Sequence, residues 1–357
     1  MTGVAKRRLK RALIAALSVL LALLLVVGGY VAYVLIAYYR IGDMPTDVEQ
    51  VATDTLSVGE AHTVLSWNIG FAAYSRDFSF FMDGGTESRA YSEAEIYRNL
   101  DGILARLLAE NADLMILQEV DTDATRSYGV DLRAYLGAAF PARSSTFAPN
   151  YDSPYLFYPI FSPHGASKAG LFTLSTKSIS TAERVELPVE EGFMKFLDLD
   201  RCYHKMTLPT DNGKTLCLYN LHLSAYTSDG TIATDQIKLL MADMQAEYDR
   251  GNYVVAGDDF NKDLRGESTA ICGDENTWAQ PFPTALLGED FSLIADHGQT
   301  HSCRNCDTGY VPGVTFEVTV DGFIVSKNVT VNSVTTINED FNHSDHNPVK
   351  MSFTLQP

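Results

Sequence analysis

The sequence predicts a mixed α/β fold preceded by one membrane-spanning helix, and three observations support this class. Several short apolar runs of β-type composition, such as residues 113–118 and 253–256, each end in polar residues. Two segments, residues 92–111 and 231–250, carry apolar residues at helical spacing. Residues 12–39 form an apolar run of 28 residues, interrupted only by one serine and two glycines. At 357 residues with 46% hydrophobic residues, the chain can bury one large core or two small ones.

The N-terminal segment has the pattern of an uncleaved signal anchor. A membrane-spanning helix needs about 20 apolar residues, whereas the core of a cleavable signal peptide has about 7–15. Five cations between Lys6 and Arg11 precede the run, and such clusters stay on the cytoplasmic side. We therefore expect a cytoplasmic tail over residues 1–11, a transmembrane anchor over 12–39, a stalk over 40–62 and an extracytoplasmic domain over 63–357. These boundaries describe a single-pass protein of the cell membrane.

The charge of the domain is strongly acidic. The whole chain has a net charge of −18, and six of its 27 cations lie within the first 40 residues. The remaining 21 cations face all 45 acids, which leaves −24 from residue 41 onward. A broad basic face that grips a nucleic-acid backbone is therefore excluded, although a local basic groove is not.

The individual elements follow from local patterns. Ser92 and Glu95 form a capping box at the start of the first amphipathic helix. Residues 78–89 are aromatic, then glycine-rich, then polar, which indicates a loop over a site, and residues 143–165 predict an exposed aromatic rim. Residues 132–140 predict a short helix. Strands are expected at residues 63–69, 113–120, 168–175, 216–224, 253–256 and 314–320 and directly before the C-terminus.

Polar residues capable of chemistry stand at the ends of these apolar runs. Each of them alone is an ordinary turn or surface residue, but ends of several strands meet at one rim of a sheet and commonly build a site there. The residues are Asn68, Glu119, His222, Asp259, Asn261, Asp321, Asp345 and His346.

The order of these motifs resembles that of the endonuclease/exonuclease/phosphatase family, which has a deoxyribonuclease-I-like fold. The motifs are Trp67-Asn68, Leu117-Gln118-Glu119, Asn220-Leu221-His222, Asp259-Phe260-Asn261, Asp321-Gly322-Phe323-Ile324 and Ser344-Asp345-His346-Asn347-Pro348. The resemblance spans roughly residues 63–355. It implies a four-layer α/β sandwich of two packed mixed β-sheets flanked by helices, here in a membrane-anchored, bacterial-type member.

The resemblance also implies roles for these residues in hydrolysis of phosphoric ester bonds. Asn68, Glu119 and Asp345 are the expected ligands of Mg²⁺ or Mn²⁺, since oxygen ligands select hard cations. The expected catalytic residues are His222, Asp259, Asn261, Asp321, Asp345 and His346. His222 and Asn261 are the expected substrate-binding residues, and His222 is also a candidate proton donor to the leaving group. Arg89 is a further substrate-binding candidate, which comes not from the resemblance but from its place in the loop of residues 78–89, because an arginine can clamp a phosphate.

Several alternatives stay open at this point. Either Asp259 or His346 deprotonates the attacking water, and either Asp321 or Asp345 orients His346. The family pattern has Gly-Gly-Asp where this chain has Gly257-Asp258-Asp259. Asp259 has the spacing to Asn261 that the family motif requires, which favours Asp259 as the family aspartate, and Asp258 is the alternative.

The substrate class is the least determined feature. An anchored, acidic domain with aromatic loops favours a phosphodiester that is a phospholipid or another small molecule. The first alternative is an extracellular nuclease acting on nucleic acid, and the second is an inactive surface-binding module. The sequence implies a membrane contact through the N-terminal helix and implies no protein partner. Among five cysteines, Cys303 and Cys306 are close enough in sequence for a disulfide.

Overall fold

The computed structural model describes residues 3–189, 199–225, 231–273 and 277–357, apart from the side chain of Asp258. The chain divides into two units, residues 1–39 and 40–357. The first is a single helix, α1, Gly3–Ala37, whose residues are not buried. In the described part of the chain it is the one helix whose length and mean hydropathy of 2.7 suit a membrane span, and a signal sequence has the same properties.

The second unit contains all the strands. Its elements in the described part are β1 Met44–Pro45, β2 Val48–Glu49, β3 Ala61–Asn68, α2 Glu93–Glu110, β4 Leu114–Ala124, α3 Leu132–Ala138, β5 Ser144–Asp152, β6 Ser167–Ser175, β7 Thr181–Glu186, β8 Cys202–Pro209, β9 Thr215–His222, α4 Thr231–Asp249, β10 Tyr253–Asp259, α5 Ser268–Cys272, β11 Phe291–Ile294, β12 Cys303–Arg304, β13 Glu317–Val318, β14 Asp321–Ser326, β15 Val329–Thr336 and β16 Val349–Leu355.

Two seven-stranded mixed sheets form the centre of this unit. The first has the order β15-β16-β3-β4-β6-β5-β2, and the second has the order β1-β7-β8-β9-β10-β14-β11. Each contains one parallel pair, β3 with β4 and β9 with β10, among antiparallel neighbours. Strands β12 and β13 form a separate two-stranded ladder.

Three apolar clusters stack these elements into four layers. The central cluster lies between the sheets and combines residues such as Ile116 of the first with Val255 and Phe323 of the second. A second cluster packs α2 and α3 on the outer face of the first sheet, and a third packs α4 on the outer face of the second. The four-layer α/β sandwich expected from the sequence is thereby confirmed.

The first amphipathic helix forms as its sequence indicates. The Ser92 hydroxyl accepts a hydrogen bond from the Glu95 backbone N–H, so a capping residue satisfies one of the free donors of the first turn. Ile96, Leu100 and Ile103 face the sheet and are fully buried. The helix ends at Asn111, which adopts the left-handed conformation common at helix C-termini.

Residues 40–62 do not form the expected stalk. Met44–Pro45 pairs with β7 at the edge of the second sheet, and Val48–Glu49 pairs with β5 at the edge of the first. Leu56 is fully buried in the central cluster. The segment looked irregular because edge strands of two residues are too short to show an alternating pattern. The folded unit therefore begins at Arg40.

The predicted strand over residues 314–320 is also wrong in its extent. Only Glu317–Val318 forms a strand there, and it pairs within the two-stranded ladder. Asp321 does not end this strand, as expected, but is the first residue of β14. Because β14 runs antiparallel to β10, the beginning of β14 lies beside the end of β10. Asp321 therefore reaches the expected rim from the opposite chain direction.

Candidate active site

The polar strand ends meet at one rim of the sandwich. His222, Asp259 and Asp321 are direct neighbours across β9, β10 and β14 in the second sheet. Asn68 ends β3 of the first sheet, and Glu119 lies in the adjacent strand β4. The two sheets thus deliver their functional groups to a common point between their edges.

Glu119 reaches this point because β4 bulges there. The pairing of β4 with β6 shifts register between Leu117 and Val120, and Glu119 has a φ of +54°. A left-handed conformation is unfavourable for a glutamate, and bulges that re-aim a side chain are common beside functional sites. The Glu119 side chain is 21% exposed and thus remains accessible from the rim.

Asn68 connects the carboxylates from the two sheets. Its Nδ2 donates to Oδ2 of Asp259 at 3.0 Å and to Oε1 of Glu119 at 3.3 Å. Its Oδ1 accepts from the Gly70 N–H at 3.0 Å. The Asn68 amide group therefore holds two carboxylates in place as a donor, while its oxygen is used within its own turn.

His346 is paired with a buried carboxylate. Its Nδ1 lies 2.8 Å from Oδ2 of Asp321, and its Nε2 lies 3.6 Å from Oδ2 of Asp259. The His346 carbonyl accepts from Nε1 of the buried Trp67 at 2.9 Å, which fixes the turn that carries the imidazole. Asp321 is thus the carboxylate that orients His346.

The protonation of these groups follows from burial and charge. The pKa of Asp259 is raised to about 7, chiefly by burial and in part by Asp321, while the charge of His346 opposes the rise. Burial alone would lower the pKa of His346, but Asp321 and Asp259 outweigh it and hold that pKa well above its ordinary value. Burial raises the pKa of Glu119, Asp345 raises it as well, and Arg126 opposes both. The rim combines a cationic imidazole with carboxyl groups that take up protons readily.

His222 and Asn261 line the other side of Asp259. Nε2 of His222 lies 3.4 Å from Oδ2 of Asp259, and its Nδ1 has no hydrogen-bond partner among the described residues. Burial chiefly lowers the pKa of His222, and the positive charge of Arg201 lowers it further. Asn261 has a φ of +48°, and its Nδ2 donates to the Leu223 carbonyl at 2.8 Å. Its N–H donates to Oδ1 of Asp259 at 3.0 Å.

Asp345 lies on the Glu119 side of the cluster rather than behind His346. Its Oδ1 accepts from the Ser344 hydroxyl at 3.3 Å, and its Oδ2 lies 3.5 Å from the thiol of Cys306. Cys303 and Cys306 are both buried free thiols, so they form no disulfide here. Asp345 can therefore contribute charge next to Glu119, whereas Asp321 orients His346.

The contacts of Gly257 and Asp259 favour Asp259 as the aspartate of the site. A Cβ at Gly257 would lie 2.4 Å from Cδ1 of Ile116 and 2.8 Å from the Phe323 ring, so a glycine is needed where the sheets press together. The Asp259 carboxylate makes the contacts of the site. The side chain of Asp258 lies outside the described residues.

Arg126 is a functional candidate that the sequence analysis missed. Its guanidinium binds both carboxylate oxygens of Asp121, at 2.8 and 3.1 Å, and its Nη1 lies 3.9 Å from Oε2 of Glu119. It also lies 4.0 Å from the centre of the Phe71 ring. No spacing rule singles out this arginine in a short 3₁₀ turn after β4. Arg89, the arginine that was expected to clamp a phosphate, instead lies 5.9 Å over the Tyr128 ring.

Two further motif residues serve to join the sheets. Nε2 of Gln118 in β4 donates to Oδ1 of Asn220 in β9 at 2.8 Å, and both side chains are fully buried. Nδ2 of Asn220 in turn donates to the Leu117 carbonyl at 3.3 Å. These bonds cross the interface between the sheets, and they join the strand that carries Glu119 to the strand that ends at His222.

The donor set fits a divalent cation. Asp259, Asp321 and His346 offer ligand atoms that all lie within 4.8 Å of one another, and Oδ1 of Asp321 is buried without a hydrogen-bond partner among the described residues. Asp321 and His346 already form a close pair, however. Glu119 and Asp345 raise the negative charge on the more accessible side. Oxygen donors of this kind suit a hard cation such as Mg²⁺.

Comparison with known proteins agrees with this geometry. A profile of the Endonuclease/Exonuclease/phosphatase family matches residues 65–346. No curated protein matches the chain significantly. A crystal structure of an endonuclease/exonuclease/phosphatase from Beutenbergia cavernae DSM 12333 has a TM-score of 0.60 at 18% identity, covering 83% of this chain and 72% of that chain.

Two other solved structures share the fold. ANGEL2, a 2′,3′-cyclic phosphatase solved with adenosine-2′,3′-vanadate, has a TM-score of 0.55 at 16% identity, covering 88% of this chain and 99% of that chain. The TDP2 of D. rerio, solved with a single-strand DNA product, has a TM-score of 0.53 at 14% identity, covering 83% and 99%. The family match over most of the domain, together with the shared fold, shows that the chain belongs to the Endonuclease/Exonuclease/phosphatase family.

Proposed function

We propose that this phosphoester hydrolase is a metal-dependent phosphodiesterase acting on a phospholipid head group or another small phosphodiester outside the cytoplasmic membrane. The observation that carries the proposal is the convergence of Glu119, Asp259, Asp321 and two imidazoles at one rim. Carboxylates and imidazoles arranged in this way can move protons and neutralise charge on a phosphoryl group.

Asp259 is the best candidate for the general base. Its pKa of about 7 is close to neutral pH, so its carboxylate can take the proton of an attacking water. The water oxygen then forms a bond to phosphorus while the bond to the leaving oxygen breaks, and the leaving oxygen takes up a proton from solvent water. His346, whose pKa is raised, is cationic near neutral pH and can donate a hydrogen bond to a phosphoryl oxygen through Nε2.

The remaining residues position the His346 ring and bind the phosphate group. Asp321 holds the His346 ring through Nδ1. His222 is neutral near pH 7 because its pKa is lowered, so it serves better as a hydrogen-bonding group for the phosphate than as a proton donor. Asn261 lies beside Asp259, and Arg126 supplies a fixed positive charge near Glu119.

Glu119 and Asp345 are the residues that would hold the cation, and Asn68, expected as a ligand, would instead hold Glu119 in place through Nδ2, because its Oδ1 accepts from the Gly70 N–H. Mg²⁺ or Mn²⁺ bound there supplies Lewis-acid polarisation of a phosphoryl oxygen. Chelator should abolish turnover by the full-length protein, and excess Mg²⁺ or Mn²⁺ should restore it. Thermal unfolding should change little, because the rim lies outside the three apolar clusters. Full activity in excess chelator would overturn metal dependence.

The substrate is tested by a panel on the full-length protein in detergent with Mg²⁺. The panel contains a sphingomyelin-type lipid, an aryl phosphodiester, an inositol phosphate, plasmid and single-stranded DNA. The acidic domain favours the lipid or the small phosphodiester over nucleic acid. Preferential cleavage of DNA would identify a membrane-anchored nuclease instead, and binding without turnover would identify an inactive module. His346→Ala is the matched inactive control.

The orientation in the membrane is part of the proposal. The cluster Lys6–Arg11 precedes α1 and favours a cytoplasmic N-terminus, with the domain outside. Protease added to intact cells should release a fragment that begins near residue 40. If the domain is protected in intact cells but digested in lysates, the domain lies on the cytoplasmic side and the proposed orientation is wrong.

A further inference from the structure

An exposed aromatic loop lies between β5 and β6. It covers residues 154–165, which include three prolines and four aromatic residues and contain no Asp, Glu, Lys or Arg. Phe161 is 100% exposed, Tyr158 64% and Phe157 52%, and Ile160 is exposed as well. We call this segment the aromatic loop. Scattered exposed apolar residues are normal, but a contiguous uncharged group in a strongly acidic domain indicates a surface that binds something apolar.

A second segment extends the same apolar surface. The Phe81 and Tyr158 rings lie 5.8 Å apart, and Met82 beside them is 47% exposed. Nδ1 of His164 lies 2.9 Å from the Ser88 carbonyl, which fastens the aromatic loop to the residues that follow Phe81. The patch is therefore built from two connected segments with fixed contacts at their bases.

The aromatic loop begins where the chain enters the domain. Asp152, the last residue of β5, donates its N–H to Oδ2 of Asp200 at 3.1 Å, and Oδ1 of Asp200 lies 3.1 Å from Nη1 of Arg40. The fully buried Arg184 spans the same place, donating to the carbonyls of Gly42 at 2.9 Å and Pro149 at 2.7 Å. The first residues of the folded unit and the base of the aromatic loop therefore share one end of the domain.

Only a short connection separates α1 from the first residue of the folded unit. The helix ends at Ala37, and the folded unit begins at Arg40. Each residue of an extended chain spans at most about 3.6 Å, so the intervening residues bridge only a short distance. Because only Tyr38 and Tyr39 separate the last helical residue from Arg40, the chain enters the domain directly after the apolar helix.

The same end also carries the candidate active site. β5 runs parallel to β4 in direction, since both are antiparallel to β6 between them. The residue after the aromatic loop is bonded to the residue after β4: the Thr125 N–H donates to the Ala166 carbonyl at 2.8 Å, and Arg126, whose Nη1 lies 3.9 Å from Oε2 of Glu119, follows directly. The rim with Glu119 thus lies beside the aromatic loop and the entry point.

We propose that the aromatic loop lies in the lipid–water interface of the membrane that carries α1 and that the neighbouring site acts on a phosphodiester presented at that surface. Both halves rest on the proposed anchoring of α1 in a membrane, and the second half rests in addition on the proposed phosphodiesterase activity. Tyrosine and phenylalanine suit such an interface, because their rings enter the head-group region. A charge-free loop also avoids the cost of placing carboxylates against lipid.

The docking half is tested by fluorescence with the full-length protein in phosphatidylcholine vesicles that contain brominated acyl chains. A Phe161→Trp variant should show emission that is quenched by bromine. The matched control is Leu108→Trp, an exposed position at 51% near the end of α2, where the chain turns into the opposite end of β4. The two native tryptophans provide a background measured in the parent protein.

Quenching of the Phe161→Trp signal, without quenching of the Leu108→Trp signal, is the expected result. Equal quenching of both, or of neither, would overturn the docking of the aromatic loop. Self-association that Phe161→Asp abolishes, in the absence of such quenching, would identify the patch as an interface with a second copy and would equally overturn it.

The substrate half is tested by a Phe157→Ser/Phe161→Ser double variant. Hydrolysis of sphingomyelin in vesicles should fall by about tenfold or more, since burial of one phenylalanine is worth roughly that factor. Hydrolysis of a soluble aryl phosphodiester should be unchanged. Equal loss on both substrates, or retained hydrolysis of the lipid, would overturn an interfacial substrate. Inactivity of the parent protein on every phosphodiester would refute the proposed function, whereas the quenching result would still decide the docking.

Discussion

Replacing Asp321 by Asn tests the assignment of roles at the rim. Oδ2 of Asp321 lies 2.8 Å from Nδ1 of His346, and both side chains are at most 6% exposed. Loss of this charge-assisted hydrogen bond costs about 1.5–3 kcal/mol. The change also removes repulsion between Asp321 and Asp259, whose ligand atoms lie within 4.8 Å. At an effective dielectric constant of about 20, that repulsion is roughly 3 kcal/mol.

The lost hydrogen bond and the removed repulsion nearly cancel in the free energy of unfolding, whereas the activity should fall strongly. We expect the unfolding free energy of Asp321→Asn to stay within about 2 kcal/mol of the parent, a shift of several degrees at most. Turnover should fall by about 10²–10⁴, because the imidazole loses its orienting carboxylate. The pKa of His346 should fall toward its ordinary value, since Asp321 is one of the groups that raise it.

Three measurements on one preparation of Asp321→Asn test whether Asp321 positions His346. These are initial rates on an aryl phosphodiester across pH, thermal unfolding, and histidine ring-proton titration by NMR. Asp249→Asn, at an exposed position near the end of α4, is the control for the loss of one negative charge. Turnover within a few-fold of the parent would refute the positioning role of Asp321. A collapse of thermal stability would show that the carboxylate serves the fold instead.

Three further predictions concern the rim, the pH range and the contact between the sheets. Glu119→Gln should abolish Mg²⁺-dependent turnover while the melting temperature stays equal or rises, because burial and Asp345 raise the pKa of Glu119 and so make its ionised form unfavourable in the folded state; a lower melting temperature would contradict this. Burial lowers the pKa of His204 to about 3 and that of His164 to about 4, so below pH 6.5 the unfolded chain binds protons that the folded chain does not. Each of these imidazoles should therefore lower the free energy of unfolding by about 2 kcal/mol between pH 6.5 and pH 5, while Asp259, whose pKa is raised to about 7, opposes the fall over the same range. Urea unfolding of the parent beside His204→Gln and His164→Gln variants measures each contribution, and identical pH profiles would mean that these rings are charged in the folded protein. Gln118→Ala should cost about 1–3 kcal/mol, because it leaves a buried Asn220 without its donor, and calorimetry against an exposed Gln356→Ala control measures that cost.

Local patterns in the sequence were sufficient for most elements and for the identity of the chemical groups. The cap at Ser92 and the apolar stripe behind it predicted α2, since helix formation depends on neighbouring residues. The apolar runs before Asn68, Glu119, His222 and Asp259 predicted strands, and each such strand exists. The resemblance built on these motifs supplied the layering, which local patterns alone do not determine. The edge strands of residues 40–62 escaped prediction because two-residue strands carry no periodic signal.

Only the tertiary structure decided how the chemical groups pair. Asp321 and Asp345 are both near His346 in the motif order, but the antiparallel course of β14 brings Asp321 to Nδ1 while Asp345 turns toward Cys306. Arg126 enters the site because the chain folds back over Phe71 after β4, a contact between residues far apart in any local pattern. Protonation is decided in the same way, since burial and neighbouring charge, rather than residue type, set the pKa values of Asp259 and His346. Sequence specifies which groups are present, and packing between distant segments determines their distances, their charges and the membrane-facing position proposed for the aromatic loop.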